Sequence, residues 1–150
     1  MIILKGDQAS KDSYQEITEI NQIKKNKNYL IKSDMLSKID FNTLLGKNLK
    51  IGVKINSDFS VNEIVKSLIF FSLIEIEFLT FKDGRPFTMA KDLRKIFRFK
   101  GELRASGHIL PDQHVFLLRC GFDSVKIAKG EKQTWITIYE NDPGLKYQSD

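Results

Sequence analysis

Leu73-Ile74-Glu75-Ile76-Glu77-Phe78, Phe81-Lys82-Asp83-Gly84-Arg85-Pro86 and Gly101-Glu102-Leu103-Arg104-Ala105-Ser106 decide how this chain is read. The first and third segments alternate apolar with charged or small residues, the period of a strand with two unlike faces. Between them Asp83-Gly84 suits a tight turn, and Met89, Leu93, Ile96 and Phe97 recur at the spacing of a buried helical stripe. The unit reads strand, helix, strand. Upstream, Leu49 to Ile55 is strand-like, and Ser60 with Glu63 forms a capping box ahead of Val61, Ile64, Val65 and Leu68. Downstream, Gly107-His108-Ile109-Leu110 leads to Pro111 in the first turn of another helix. Gly121 closes that helix with Phe122 folding back on it, and Ser124 to Ile127 is a fourth strand.

Strands alternating with helices imply parallel pairing through right-handed crossovers. The expected fold is therefore α/β with parallel strands, either an open flavodoxin-like sheet or part of a (βα) barrel. Glu75 and Glu77 share one face of their strand, as Glu102 and Arg104 do of the next. If those faces coincide, Arg104 pairs with Glu75 or Glu77, since an unpaired buried charge costs several kcal/mol.

Outside residues 49–127 the pattern is weaker. Ile2 to Leu4 and Tyr29 to Ile31 read as short strands, and Ser33, Asp34 or Asp40 as caps of short helices before Gly46. Residues 1–28 are polar and rich in lysine and asparagine, and read as a peripheral part of a single domain spanning 1–150.

Composition narrows the function classes. With 41% apolar and 29% charged residues the chain is ordinary for a globular protein. No apolar run reaches the roughly 18 residues of a membrane span, and nothing reads as a signal peptide, so the cytoplasm is the expected compartment. One cysteine, Cys120, allows no internal disulfide. There is no glycine-rich dinucleotide or phosphate loop and no metal-ligand spacing, so no cofactor and no metal are expected. The chain carries a net charge of +5, and Lys82 to Arg104 alone holds eight bases against three acids. That excess describes either a solvated helix face or a surface for an acidic partner. No nucleic-acid-binding motif accompanies it.

In parallel α/β folds ligands gather beyond the carboxyl ends of the strands. Two such ends carry polar groups: Asp83, Gly84 and Arg85, and then Ser106, Gly107 and His108. Candidate ligand-binding residues are thus Asp83, Arg85, Arg104, Gly107, Asp112 and Gln113, with Asp83 and His108 as candidate proton carriers. For Asp83 the alternative is the turn itself, for His108 an ordinary surface residue, and for Asp112 a first-turn role. Lys91, Arg94, Lys95 and Arg98 are candidate partner-binding bases, and Cys120 reads as a buried structural residue.

Phe81-Lys82-Asp83-Gly84-Arg85, Leu93-Arg94, Gly101-Glu102-Leu103-Arg104-Ala105, Gly107, Leu110, Asp112-Gln113 and Arg119-Cys120-Gly121-Phe122-Asp123 together resemble an uncharacterised bacterial domain family. Its members are usually labelled oxidoreductases of sulfite reduction, and their genes lie beside those of assimilatory sulfite reductase. The resemblance covers Leu49 to Ile127, with Tyr147-Gln148 similar to the family's tail. His108 and Pro111 stand here where the family pattern has an acid and a base. The resemblance implies an accessory protein of sulfite assimilation whose basic helix docks the reductase or its electron donor. The second expectation is a small oxidoreductase or anion-binding enzyme acting on sulfite, sulfate or a phosphorylated metabolite. A homo-oligomer covering the mixed-polarity strand faces is a third.

Overall fold

The structure, a computed structural model, describes residues 1–147, so Gln148 of the tail resemblance lies outside the described residues. Its strands are β1 (Ile2–Lys5), β2 (Gln8–Ser10), β3 (Gln15–Glu16), β4 (Asn28–Lys32), β5 (Lys50–Asn56), β6 (Phe71–Phe78), β7 (Glu102–Gly107) and β8 (Ser124–Ile127). They form one sheet in the order β2-β1-β8-β7-β6-β5-β4-β3. From β3 to β8 every neighbouring pair is parallel, whereas β1 pairs antiparallel with both β2 and β8. Strands β4 to β8 follow one another in chain order without reversal, as in a (βα) barrel, whereas a flavodoxin-like sheet has a switch point.

The sheet is curled, and chain length requires it. β2 and β3 are its two outer strands, yet Ser10 and Gln15 are separated by only four residues, Lys11 to Tyr14. Laid flat, strands about 4.8 Å apart would hold the two edges roughly 34 Å from each other. Five steps of extended chain reach at most about 18 Å. The outcome is a half-barrel with Lys11 to Tyr14 as a strap across its open side.

Alternation then sorts the side chains. Val53 and Ile55, Ile74, Ile76 and Phe78, Leu103 and Ala105, and Val125 and Ile127 lie on the convex face in the buried core. Three helices, α1 (Arg85–Lys95), α2 (His114–Cys120) and α3 (Lys132–Glu140), accompany the sheet. Met89, Ala90 and Leu93 of α1, Leu117 and Cys120 of α2, and Trp135 of α3 join the same core. Each fully buried leucine or isoleucine contributes about 2 kcal/mol. α2 ends as its sequence suggests: Gly121 sits at φ +113°, and the Phe122 N–H donates to the Leu117 carbonyl at 3.1 Å.

Three readings are corrected. The crossover between β5 and β6, Val61–Phe70, is a 3-10 helix, and Ser60 makes no side-chain cap. Ten residues at about 2.0 Å rise cover roughly 20 Å, where an α-helix would cover about 15 Å, so the tighter helix better spans the return along an eight-residue strand. Ile96 is 64% exposed because α1 stops at Lys95. Beyond it Arg98 turns the chain at φ 55° and Phe99 is buried instead. Residues 1–28 are not peripheral: they supply three strands and the strap, with Leu4 and Ile17 fully buried. Strands of two to four residues are too short to display a period.

His114 is buried on α2, edge-on to Trp135 at 5.3 Å and beside Tyr139 at 4.9 Å, and among the described residues neither ring nitrogen has a hydrogen-bond partner. Burial pulls its pKa from 6.5 down to about 4. The unfolded chain therefore takes up this proton first, and stability falls as the pH drops from about 6.5 toward 4. Urea midpoints measured across that range should decline in the native protein, and His114→Phe should flatten this limb.

Candidate functional site

The concave face carries charges where the convex face carries the core. One row of the register runs Lys54, Glu75, Arg104, Ser124 across β5 to β8. The Glu75 side chain is wholly buried, and its Oε1 lies 3.6 Å from Arg104 Nη1 and 3.7 Å from Lys126 Nζ. Ser106 Oγ donates to Glu75 Oε2 at 3.0 Å, and Lys54 Nζ stands 3.8 Å from the same oxygen. Arg104, 3% exposed, also meets Asp12 through Nη1 and Glu102 through Nη2, each at 3.2 Å. Lys126 reaches Asp12 Oδ2 at 3.3 Å, and Lys5 reaches Glu102 at 3.1 Å. Tyr14 of the strap lies under the Arg104 guanidinium at 5.7 Å and shares a 2.7 Å hydrogen bond with Ser72. Glu77, the other partner considered for Arg104, does not enter this network among the described residues.

Acids and bases balance here: Asp12, Glu16, Glu75 and Glu102 face Lys5, Lys54, Arg104 and Lys126. Burial raises the Asp12 carboxyl, but the Tyr14 amide and the Arg104 and Lys126 charges outweigh it and hold it below its ordinary value of 3.8. At Glu102 burial is likewise outweighed, by hydrogen bonds from Ser124 and Lys5 and by Arg104. These lowered carboxylates stabilise the fold above about pH 4, and that contribution disappears as the pH falls through their native pKa values.

At the carboxyl ends of the strands, the end of β6 lies beside the Gly107 corner of β7. Phe78 pairs with Gly107, and the His108 N–H donates to the Phe78 carbonyl at 3.0 Å. Gly107 sits at φ +81°, where a Cβ would lie 2.5 Å from that carbonyl, so only glycine fits the corner. His108 faces Phe81 edge-on at 4.8 Å, with its Nδ1 3.3 Å from the Phe78 carbonyl and no carboxylate partner among the described residues. The Arg85 fork is already taken. It donates to both oxygens of Asp83, at 2.9 and 2.8 Å, and to Asp58 at 2.7 Å. Those bonds, with a further one from Ser57, hold the Asp83 carboxyl well below the usual carboxylate range. Asp112 is exposed in a 3-10 turn, and Gln113 Oε1 accepts the Leu110 N–H at 2.9 Å. Next to Gly107 a cleft of about 360 Å³ opens between Phe81, Leu110, Lys126, Glu131 and Thr134. Cys120 is buried, which pushes its thiol pKa up.

The basic helix divides in two. Arg94 turns inward: Nε donates to the Gly121 carbonyl at 3.0 Å, and Nη1 to the Phe99 and Gly101 carbonyls at 2.9 and 2.8 Å. Its Nη2 pairs with Asp123 at 2.6 Å. It ties α1 to the end of α2 and the start of β7 and is not available to a partner. Lys91, Lys95 and Arg98 point outward, and none pairs with an acid among the described residues. Ile96, at 64%, and Ile69, at 86%, are exposed on this side, and Ile69 lines a shallow groove with Phe97, Arg98 and Lys100.

Sequence reasoning passed over Lys54, Lys126, Ser124, Asp12 and Tyr14, and took Ser106 only as part of the β7 end. For Lys54 and Lys126 alternation was the available signal, since each sits between convex-face apolar neighbours and so shares the face of Glu75 and Arg104. Asp12 and Tyr14 carry no such signal.

Removing Glu75 alone leaves Arg104 and Lys126 short of a buried counter-charge. Glu75→Leu should cost about 3–5 kcal/mol in denaturant unfolding. Adding Arg104→Met to it should recover part of that loss, because the double variant restores the charge balance, and a double-mutant cycle measures the coupling.

No helix among the described residues is long and apolar enough to cross a membrane. No three His, Cys, Asp or Glu side chains among them are placed to hold a metal ion. No curated protein and no solved structure matches this sequence. Residues 52–150, which include β6, β7, β8 and all three helices, match a family of bacterial proteins of unknown function, DUF934, and the chain belongs to that family.

Proposed function

We propose that this protein is a docking component of assimilatory sulfite reduction in the cytoplasm, an accessory that binds sulfite reductase or its acidic electron donor. The observation that carries this reading is the exposed face where Lys91, Lys95 and Arg98 project beside Ile96 and the Ile69 groove. A merely solvated helix face has no need of two bare isoleucines, whereas a partner surface combines apolar contact with charges that orient the approach. Sulfite assimilation as the setting rests on the resemblance of Gly101 to Ala105 and of Arg119 to Asp123. The residues that would have to act in catalysis are otherwise engaged. Arg85 is held by two carboxylates, Asp83 is ionised far below neutral pH, and His108 has no acid partner among the described residues.

The experiment is binding of the purified protein to purified sulfite reductase, and to the reductase's electron donor, by surface plasmon resonance. Affinity should fall steeply as salt rises from about 50 to 300 mM. Lys95→Glu with Arg98→Glu should weaken binding by about tenfold or more, mostly through slower association. Neither side chain is part of the core, so the double variant should unfold within about 1 kcal/mol of the native protein. Absence of binding at low salt, or binding indifferent to salt and to the charge reversals, would refute the proposal.

A further inference from the structure

The ionic network on the concave face has two sources, and separating them exposes a feature apart from the docking surface. The strands from β5 onward, with Lys5 of β1, contribute Lys5, Lys54, Arg104 and Lys126 against Glu75 and Glu102, an excess of two cations. The missing negative charges, Asp12 and Glu16, come from the strap and the short strand it leads into. Asp12 occupies its place as a bound anion would. Oδ1 takes the Arg104 guanidinium at 3.2 Å and the Tyr14 amide at 3.0 Å, and Oδ2 takes the Lys126 ammonium at 3.3 Å.

The strap holds on lightly. Lys11 to Tyr14 have no regular secondary structure, and Lys11 and Ser13 are exposed. Among the described residues, their ties to the concave face are Asp12 to the two cations, Tyr14 to Ser72 and the Tyr14 ring against Arg104. Segments held by so few contacts open at low free-energy cost. Arg104 keeps a buried Nε with no hydrogen-bond partner, so its guanidinium is not fully satisfied by Asp12 and Glu102. Arg104 and Lys126 both fall within the residues that match the family, and Asp12 lies ahead of them.

We infer that the concave face is a binding site for a small oxyanion, seated on Arg104 and Lys126, and that Asp12 of the strap keeps the seat filled with its own carboxylate. The ligand class is a tetrahedral oxyanion or an oxyanion group on a small metabolite, which enters when the strap lifts and displaces Asp12.

The test is chemical rescue. Asp12→Ala should lower the melting temperature by about 5 °C. Millimolar sulfate or phosphate should then restore it saturably, while chloride at equal ionic strength should not. Acetate, with a single charge against the two-cation excess, should restore it less than sulfate. Asp12→Asn, which keeps the shape of the side chain, should bind sulfate at least about tenfold more tightly than the native protein by calorimetry. Adding Lys126→Met to Asp12→Asn should abolish that gain. Sulfate and phosphate stabilising Asp12→Ala no more than they stabilise the native protein would overturn the inference. So would equal sulfate affinity, or none, in the native protein and in Asp12→Asn, a result that applies even if Asp12→Ala does not fold.

Discussion

Ser10 and Gln15 are close in the chain and stand at opposite ends of the strand order, and the four residues between them govern the rest of the structure. A link that short cannot span a flat eight-stranded sheet, so the sheet curls until its edges come within reach. Curling gives the two faces different fates. The convex face meets helices and becomes the apolar core. The concave face closes on itself, and the strap seals what would otherwise be a wet surface.

Charges enclosed in this way must answer one another. Glu75 is fully buried, yet Arg104, Lys126, Lys54 and Ser106 all converge on it. Such a network adds little net stability over a well-packed apolar interior, because desolvation consumes most of the attraction. What it does impose is a register: a slip of β6 against β7 by one residue would place Glu75 away from Arg104 and leave both uncompensated. The same requirement makes Asp12 consequential, since it supplies charge that the strands beneath it lack.

The outer surface follows a different rule. The sequence offers Arg94 as a partner-binding base and Arg85 as a ligand-binding one, but the first caps backbone carbonyls at the junction of α1, α2 and β7, and the second is folded onto Asp83 and Asp58. A guanidinium with five donors readily becomes a structural clamp when carbonyls or carboxylates converge on it. Lys91, Lys95 and Arg98 are left to face outward beside bare isoleucines, and the proposed docking surface lies there. At the carboxyl ends of β6 and β7, Arg85 is committed to Asp83 and Asp58, while His108 and Gln113 meet backbone groups.

Read alone, the sequence determined the succession of strands and helices from Lys50 to Ile127, the Gly121 helix stop, and Glu75 or Glu77 as the partner of Arg104, of which the structure selects Glu75. These are local or nearest-strand properties, set by side-chain period, by the left-handed turn that glycine permits, and by matching faces on adjacent strands. Alternation also announced two unlike faces, but it does not record what covers each. Only the tertiary structure decided that Lys54 and Lys126 are drawn into an enclosed network, that Arg94 turns inward, and that Asp12 meets a partner 92 residues away. Those outcomes depend on closure of the sheet, which follows from how a four-residue link sits relative to two edge strands too short to show a period.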